Sequence, residues 1–225
     1  MLQKSKLKRF LSGNGSINFA VFLNCKAKKI MDIEHHPLKP FIPEGAHVLM
    51  LGSFPPAAHR WSMQFFYPNI QNDMWRIFGL IYFANTDRFI YSEGKRKRFM
   101  REPIVQLMND LGIAIFDTAM TIRRMKGTAA DNDLRVMKVT DLDLLASHIP
   151  NLEAVLCTGG KAGEICAEQM LCEVPAPGFS THGVLDNREM LLYRMPSTSR
   201  AYPLSLVKKA EVYRRVLVDE LKITL

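Results

Sequence analysis

Residues 48–75 read VLMLGSFPPAAHRWSMQFFYPNIQNDMW, and this stretch decides the fold. Its first four residues are all apolar, which is typical of a strand covered on both faces, as in a parallel sheet. Gly52 then allows the backbone to turn sharply, and the two prolines that follow Phe54 stiffen the turn. Ligands of open α/β sheets bind at the carboxyl ends of the strands. The sequence therefore places a candidate binding site directly after residue 51.

The chain has 225 residues, of which 48% are hydrophobic, and this is enough for one α/β domain with a proper core. No run approaches the ~20 apolar residues of a membrane span, and no signal-peptide pattern is evident, so we expect a cytoplasmic protein. The net charge is +8, but residues 1–30 carry seven basic and no acidic residues, whereas the remainder carries 23 basic and 22 acidic residues. We expect a basic extension, flexible or folded, over residues 1–30 and a single domain over residues 31–225.

The four cysteines indicate neither a disulfide scaffold nor a metal site. Three of them fall within residues 157–172, and their spacing matches no common zinc or iron–sulfur ligand set. We expect no metal and no cofactor.

Four strand-like runs alternate with helical stretches along the chain. Strands are predicted at residues 48–51, 113–116, 154–157 and 190–194, and helices at residues 73–83, 91–111, 142–147, 161–171 and 204–221. This alternation implies parallel strands joined by right-handed crossovers, with helices on both faces. The predicted fold is α/β, a three-layer α/β/α domain with a central four-stranded, mainly parallel sheet.

The loops that follow the four strands open at one edge of such a sheet and therefore converge on one site. Asp117, after the second strand, is the only carboxylate among the four loop ends. After the fourth strand, Ser197, Thr198 and Ser199 offer hydroxyls and amides that can hold phosphates without adding charge. Taken alone, each loop is also explained as an ordinary turn, and only their convergence favours a site.

Three short motifs carry a resemblance to a known family. They are Gly52-Ser53-Phe54-Pro55 after the first strand, Asn72-Asp73-Met74-Trp75-Arg76-Ile77 downstream, and Met195-Pro196-Ser197-Thr198-Ser199 after the last strand. In this order, and over about residues 45–220, they resemble the uracil-DNA glycosylase superfamily, and most of all its hypoxanthine-DNA glycosylase type.

The resemblance implies a monofunctional DNA glycosylase of base excision repair. Its partner would be DNA that contains a damaged or mismatched base, and it would act on a deaminated base, uracil or hypoxanthine, flipped out of the stack. The sequence leaves the oligomeric state open, and a monomer is favoured. In most branches a polar residue at the third position of the first motif orients or activates the attacking water, but in this chain that position is Phe54. In the hypoxanthine type that role belongs to an asparagine that matches Asn72. Asn72 is the expected catalyst, and Asp117 is the alternative because a carboxylate can act as a base or stabilise a cation.

The resemblance also assigns the binding residues. The flipped base would be bound by the first strand-end loop and the aromatic segment that follows it, namely Gly52, Ser53, Phe54, Phe66 and Tyr67. The DNA strand would be held by the last strand-end loop, namely Ser197, Thr198, Ser199, Arg200 and Tyr202. The pattern departs from the family at Pro56, Arg200 and Tyr202, and this leaves the substrate preference open.

Two other functions stay open at this point. Because Phe54 replaces the usual polar group, the chain is also consistent with a catalytically inactive nucleic-acid-binding module of the same fold. A serine hydrolase would use Ser53 with one of six histidines, but the chain lacks the G-x-S-x-G motif of such enzymes.

Overall fold

The computed structural model describes residues 33–125 and 134–225. In these residues ten strands form three sheets. The strands are β1 (Ile33–His35), β2 (Val48–Gly52), β3 (Ile90–Glu93), β4 (Arg96–Phe99), β5 (Ile113–Asp117), β6 (Ala119–Arg124), β7 (Leu134–Val139), β8 (Ala154–Cys157), β9 (Phe179–Leu185) and β10 (Arg188–Arg194).

The central sheet has the strand order β5-β2-β8-β10-β9. Its first four strands are parallel, and β9 joins β10 as an antiparallel edge. Every residue of β2, β5 and β8 is buried, because both faces of the sheet are covered, and this explains why these strands are apolar apart from Asp117 at the end of β5. The predicted α/β fold with a mainly parallel sheet flanked by helices is confirmed, and the predicted four parallel strands are the ones observed. The antiparallel edge strand β9 was not predicted.

Helices connect the strands of this sheet. They are α1 (Met74–Phe83), α2 (Arg101–Asp110), α3 (Leu142–Ser147), α4 (Gly160–Gln169) and α5 (Leu206–Arg214), with a 3₁₀ turn at Ala58–Arg60 and a π-helical continuation of α5 at Arg215–Glu220. The helix predicted over residues 91–111 is wrong in its first half, where β3 and β4 form a hairpin. Gly94, at a φ of 57°, opens the two-residue turn of this hairpin, and the apolar spacing that suggested a helix belongs only to α2.

A small antiparallel sheet, β1-β6-β7, adjoins the carboxyl end of β5, since only Thr118 separates β5 from β6. The prediction treated residues 117–119 as a simple loop. In the structure, Thr118 N–H donates to the carbonyl of Gly52 at 2.8 Å and Ala119 N–H donates to that of Ser53 at 3.1 Å. The first strand-end loop is thereby fixed against the start of β6.

The predicted extension over residues 1–30 lies outside the described residues. Within the described parts of the chain, no helix combines the length and apolar character needed to cross a lipid bilayer.

Candidate active site

The carboxyl ends of β2 and β5 lie side by side, and Gly52 is in register with Asp117. A Cβ atom at position 52 would overlap the Asp117 carboxylate, and it would lie 3.3 Å from the hydroxyl of Tyr67. Glycine is therefore required here by the close approach of a carboxylate rather than by an unusual backbone angle. Three residues assigned to the site from the sequence, Gly52, Tyr67 and Asp117, come together at this point.

A buried histidine holds the Asp117 carboxylate. His36 Nε2 lies 2.9 Å from Asp117 Oδ2, and the side chains of His36 and Asp117 are 0% and 8% exposed. On the other side of the ring, Nδ1 lies 2.9 Å from the carbonyl oxygen and 3.2 Å from the amide nitrogen of Leu38. Nε2–H can thus donate to Asp117 in either charge state of the imidazole, because Leu38 offers an acceptor for a protonated Nδ1 and a donor for an unprotonated one.

Aromatic rings surround His36. Its ring centroid lies 5.4 Å from that of Phe54, 6.3 Å from that of Phe66 and 4.6 Å from that of Phe116. No local pattern predicts the pairing of His36 with Asp117, because 81 positions separate the two residues and nothing in the sequence distinguishes His36 from the other five histidines. It is the antiparallel pairing of β1 with β6 that brings the chain after His35 to the end of β5.

Tyr67 spans the ends of β2 and β8. Its hydroxyl lies 2.8 Å from Thr158 Oγ1, which in turn donates to the carbonyl of Leu51 at 3.3 Å. Burial, followed by the nearby Asp117 carboxylate, raises the pKa of the Tyr67 phenol well above its ordinary value. Tyr67 therefore stays protonated and donates its hydroxyl hydrogen to Thr158 Oγ1, which leaves the phenol oxygen as an acceptor beside Asp117. Its backbone is left-handed, with a φ of 49°.

Asn72 and the last strand-end loop meet through their neighbours. Asp73 N–H donates to the carbonyl of Thr198 at 2.9 Å, so the second and third motifs are in direct contact although 125 positions separate these two residues. Asn72 Oδ1 accepts the N–H of Met74 at 2.8 Å, which caps the first turn of α1 and fixes the amide plane. One lone pair of Oδ1 and the Nδ2 hydrogens stay available for a ligand, and the side chain is half-buried.

A buried ion pair locks this junction. Lys209 is 0% exposed, and its Nζ lies 2.9 Å from Asp73 Oδ2 and 2.8 Å from the carbonyl oxygen of Ser199. Arg200 Nε approaches the other carboxylate oxygen at 3.3 Å, and its side chain is 53% exposed. Sequence reasoning missed Asp73 and Lys209 as site residues, because Asp73 directly precedes α1 and Lys209 lies within α5, and charged side chains at such positions usually face solvent.

The loop over residues 197–202 is shaped by its own hydroxyls. Ser197 Oγ accepts the N–H of Ser199 at 3.2 Å, and Ser199 Oγ accepts that of Ala201 at 3.3 Å. Ser199 and Arg200 are exposed, Ser197 and Tyr202 are half-buried, and Thr198 is buried. Of the residues assigned to DNA, Ser199 and Arg200 thus present most surface.

The remaining residues assigned to the base lie close to the core. Phe66 is 3% exposed and makes T-shaped contacts with Phe65 and Phe116, so it belongs to the core. Phe54 is half-buried, meets the His36 ring edge-on, and lies under the Arg124 guanidinium at 5.9 Å. Ser53 is half-buried beside Gly52. Tyr67 is therefore the aromatic side chain best placed beside the Asp117 carboxylate.

A metal-assisted site has no ligand set in the described residues, where no three His, Cys, Asp or Glu side chains cluster in a way that could hold an ion. Cys157 and Cys166 are buried free thiols, and burial raises the pKa of the Cys157 thiol well above its ordinary value.

Among solved structures, the fold is similar to that of a protein from Methanosarcina acetivorans whose solution NMR structure bears the description "putative Uracil DNA glycosylase". The two sequences are 20% identical, the alignment covers 83% of this chain and 99% of that chain, and the TM-score is 0.55. At this identity the likeness establishes a shared fold. No protein-family model matches the sequence. A search of the curated proteins finds no match either.

Proposed function

We propose that the chain is a DNA glycosylase of the uracil-DNA glycosylase superfamily, of the hypoxanthine type. It hydrolyses the N-glycosidic bond of a deaminated base, uracil or hypoxanthine, that has been flipped out of DNA. The observation that carries this proposal is the set of contacts among the three motifs: Gly52 adjoins Asp117 and Tyr67, the Tyr67 ring centroid lies 6.1 Å from that of Trp75 in the second motif, and Asp73 of that motif is bonded to Thr198 of the third. The shared fold with the archaeal protein supports the same function.

The chemistry follows from what each side chain at this edge can do. Loss of the base leaves positive charge on the sugar, and a water molecule then adds to the sugar carbon. Asn72 is a neutral amide and a poor base, but its fixed Oδ1 can orient the hydrogen of that water. Asp117 supplies the negative charge that Asn72 lacks, either as an acceptor for the proton of water or as a counter-charge for the sugar cation.

His36 acts through Asp117 as a positioning residue. Its Nε2–H occupies Oδ2 at 2.9 Å, which leaves Oδ1 directed at the space above Gly52 and next to the Tyr67 hydroxyl. The Tyr67 hydroxyl, held protonated, donates its one hydrogen to Thr158 Oγ1, so its oxygen can accept a ring N–H of the bound base, and both uracil and hypoxanthine carry one.

The test is single-turnover base release from oligonucleotides that carry uracil, hypoxanthine, xanthine or a mismatched thymine. Asn72→Ala and Asp117→Asn are compared with the unaltered chain, and DNA binding is measured in parallel. We expect both variants to lower release by about 100-fold or more while binding persists, since positioning and charge stabilisation each contribute on that scale. Lys39→Ala, a change at an exposed position that has no part in this chemistry, is the control.

One observation favours a second candidate, a catalytically inactive nucleic-acid-binding module. The third position of the first motif is Phe54, whose ring is engaged by His36 and Arg124 and can neither orient nor activate water. If the unaltered chain binds DNA but releases none of the four bases, this second function is the correct one. If Asn72→Ala leaves release unchanged while Asp117→Asn abolishes it, the role given to Asn72 is wrong.

A further inference from the structure

A cleft of about 820 Å³ opens next to the candidate active site, between the β3–β4 hairpin and the segment that follows the first strand-end loop. One wall is formed by residues 69–71, and the chain neighbours of this wall are Pro68, directly after Tyr67, and Asn72. The opposite wall is the hairpin. We infer that this cleft, here called the hairpin cleft, binds the phosphate backbone of the DNA strand that flanks the flipped nucleotide.

The charge of the cleft carries the inference. Four cationic side chains line it, namely Arg60, Arg96, Lys97 and Arg98, and all four are exposed. Glu93 is the one acidic residue of the lining. Over residues 33–125 and 134–225, no carboxylate lies within ion-pair distance of these four cations. The four cations are therefore available to bind an anionic ligand, because none of them is paired with a carboxylate of the described residues.

The hairpin presents its arginines in a fixed way. Tyr91 pairs with Arg98 and Glu93 with Arg96 across the two strands, so these four side chains project from the same face. The Arg98 guanidinium lies 4.8 Å from the centre of the Tyr91 ring, and this stacking orients its planar fork. A guanidinium held in this manner matches the geometry of a phosphate better than a mobile lysine does.

Hydrogen bonds also hold the other wall of the cleft in place. Ser62 Oγ accepts the N–H of Phe99 at 3.3 Å and donates to the carbonyl of Pro68 at 2.8 Å, which ties the hairpin to this segment. Trp61 donates through Nε1–H to the carbonyl of Pro56 at 2.6 Å, so its ring has a defined place in the lining. An aromatic face next to cations is the usual composition of a nucleic-acid strand groove.

The size of the cleft fits a short run of nucleotides. A four-residue strand is about 13 Å long, and one strand of B-form DNA advances about 3.4 Å per nucleotide, so the hairpin spans roughly four phosphates. The cleft continues from the residues placed at the flipped nucleotide. This inference rests on the proposed function for the identity of the ligand, since it is the DNA strand already engaged at the site.

The test is the salt dependence of binding to an undamaged DNA duplex of about 24 base pairs, which extends well beyond the cleft. The full chain is used, and the Kd is measured by fluorescence anisotropy between 50 and 200 mM salt. The double variant Arg96→Ala with Arg98→Ala loses two phosphate contacts. Since each contact contributes about 0.9 to the slope of log Kd against log salt concentration, that slope should fall by about 1.8. The loss of affinity over that salt range then becomes roughly 12-fold smaller than for the unaltered chain.

Two variants serve as controls. Lys39→Ala with Lys222→Ala removes the same formal charge from exposed positions outside the cleft, and residues 1–30 contribute equally to every variant. Arg96→Lys with Arg98→Lys keeps the charge and should keep most of the slope. The inference is overturned if the hairpin alanine variant and the Lys39/Lys222 variant change the slope equally.

Base release separates this result from the proposed function. If lesions are excised but the hairpin variant behaves like its control, the cleft inference fails and the proposed function stands. If nothing is excised but the slope falls as expected, the cleft binds DNA and the proposed catalysis fails.

Discussion

Replacement of Lys209 by methionine tests the buried junction between the second and third motifs. Methionine keeps an unbranched chain of similar length but removes the ammonium group that bonds Asp73 and the carbonyl of Ser199. The Asp73 side chain, 8% exposed, then keeps only Arg200 as a charged partner, at 3.3 Å and from a mostly solvated position. The carboxylate loses its close, buried counter-charge.

The magnitude follows from the burial of the pair. Removing one partner from a buried ion pair costs about 3–5 kcal/mol, because the other charge is left in a medium that solvates it poorly. We expect about 3 kcal/mol, at the lower end, since Arg200 remains. For a chain of this size that corresponds to a fall of about 6–12 °C in Tm.

The assay is urea unfolding with Lys208→Met as the matched control. Lys208 is the adjacent residue of α5, but its side chain is exposed, so its replacement should change the free energy of unfolding by less than about 0.5 kcal/mol. Asp73→Asn combined with Lys209→Met should cost less than the sum of the single changes, by about 1 kcal/mol or more. If Lys209→Met is no more destabilising than Lys208→Met, the ion pair does not hold the junction and the reasoning is refuted.

Three further outcomes are expected. Gly52→Ala forces a Cβ into the Asp117 carboxylate and should abolish base release and cost about 1–3 kcal/mol of unfolding free energy, whereas normal activity would contradict the proposed geometry. Burial raises the pKa of the Tyr82 and Tyr213 phenols in the folded state, so the unfolded state ionises first. The free energy of unfolding should therefore fall as the pH rises above about 10, the ordinary pKa of tyrosine. An ultraviolet titration in which both phenols of the folded chain ionise at that ordinary pKa would contradict this. Ser205→Ala removes the oxygen that accepts the Lys208 N–H at the start of α5 and should cost about 1 kcal/mol in urea unfolding, against no cost if the cap is unimportant.

The parallel sheet could be predicted because its strands are buried on both faces. Burial on both faces leaves continuous apolar runs, and these are visible locally at β2, β5 and β8. The hairpin and the β1-β6-β7 sheet could not be predicted in the same way. Five of the eight residues that pair across the β3–β4 hairpin are polar or charged, and β1 has only three residues, so neither leaves a strong local pattern.

The sequence by itself determined which residues could meet at one sheet edge. Gly52 and Asp117 end β2 and β5, Ser197 follows β10, and the carboxyl ends of parallel strands share an edge whatever the details of packing. The sequence also determined that residue 54 cannot orient or activate a water molecule, because a phenylalanine side chain has no polar group.

Only the tertiary structure decided which partners these residues have. The pairs His36 with Asp117 and Lys209 with Asp73 join positions 81 and 136 apart, and no local pattern records a contact that depends on how separate elements dock. The same holds for Phe66, which the family resemblance assigns to the flipped base but which packs among three rings. Local propensity acts over a few residues, whereas the environment of a side chain is set by whatever the fold places beside it.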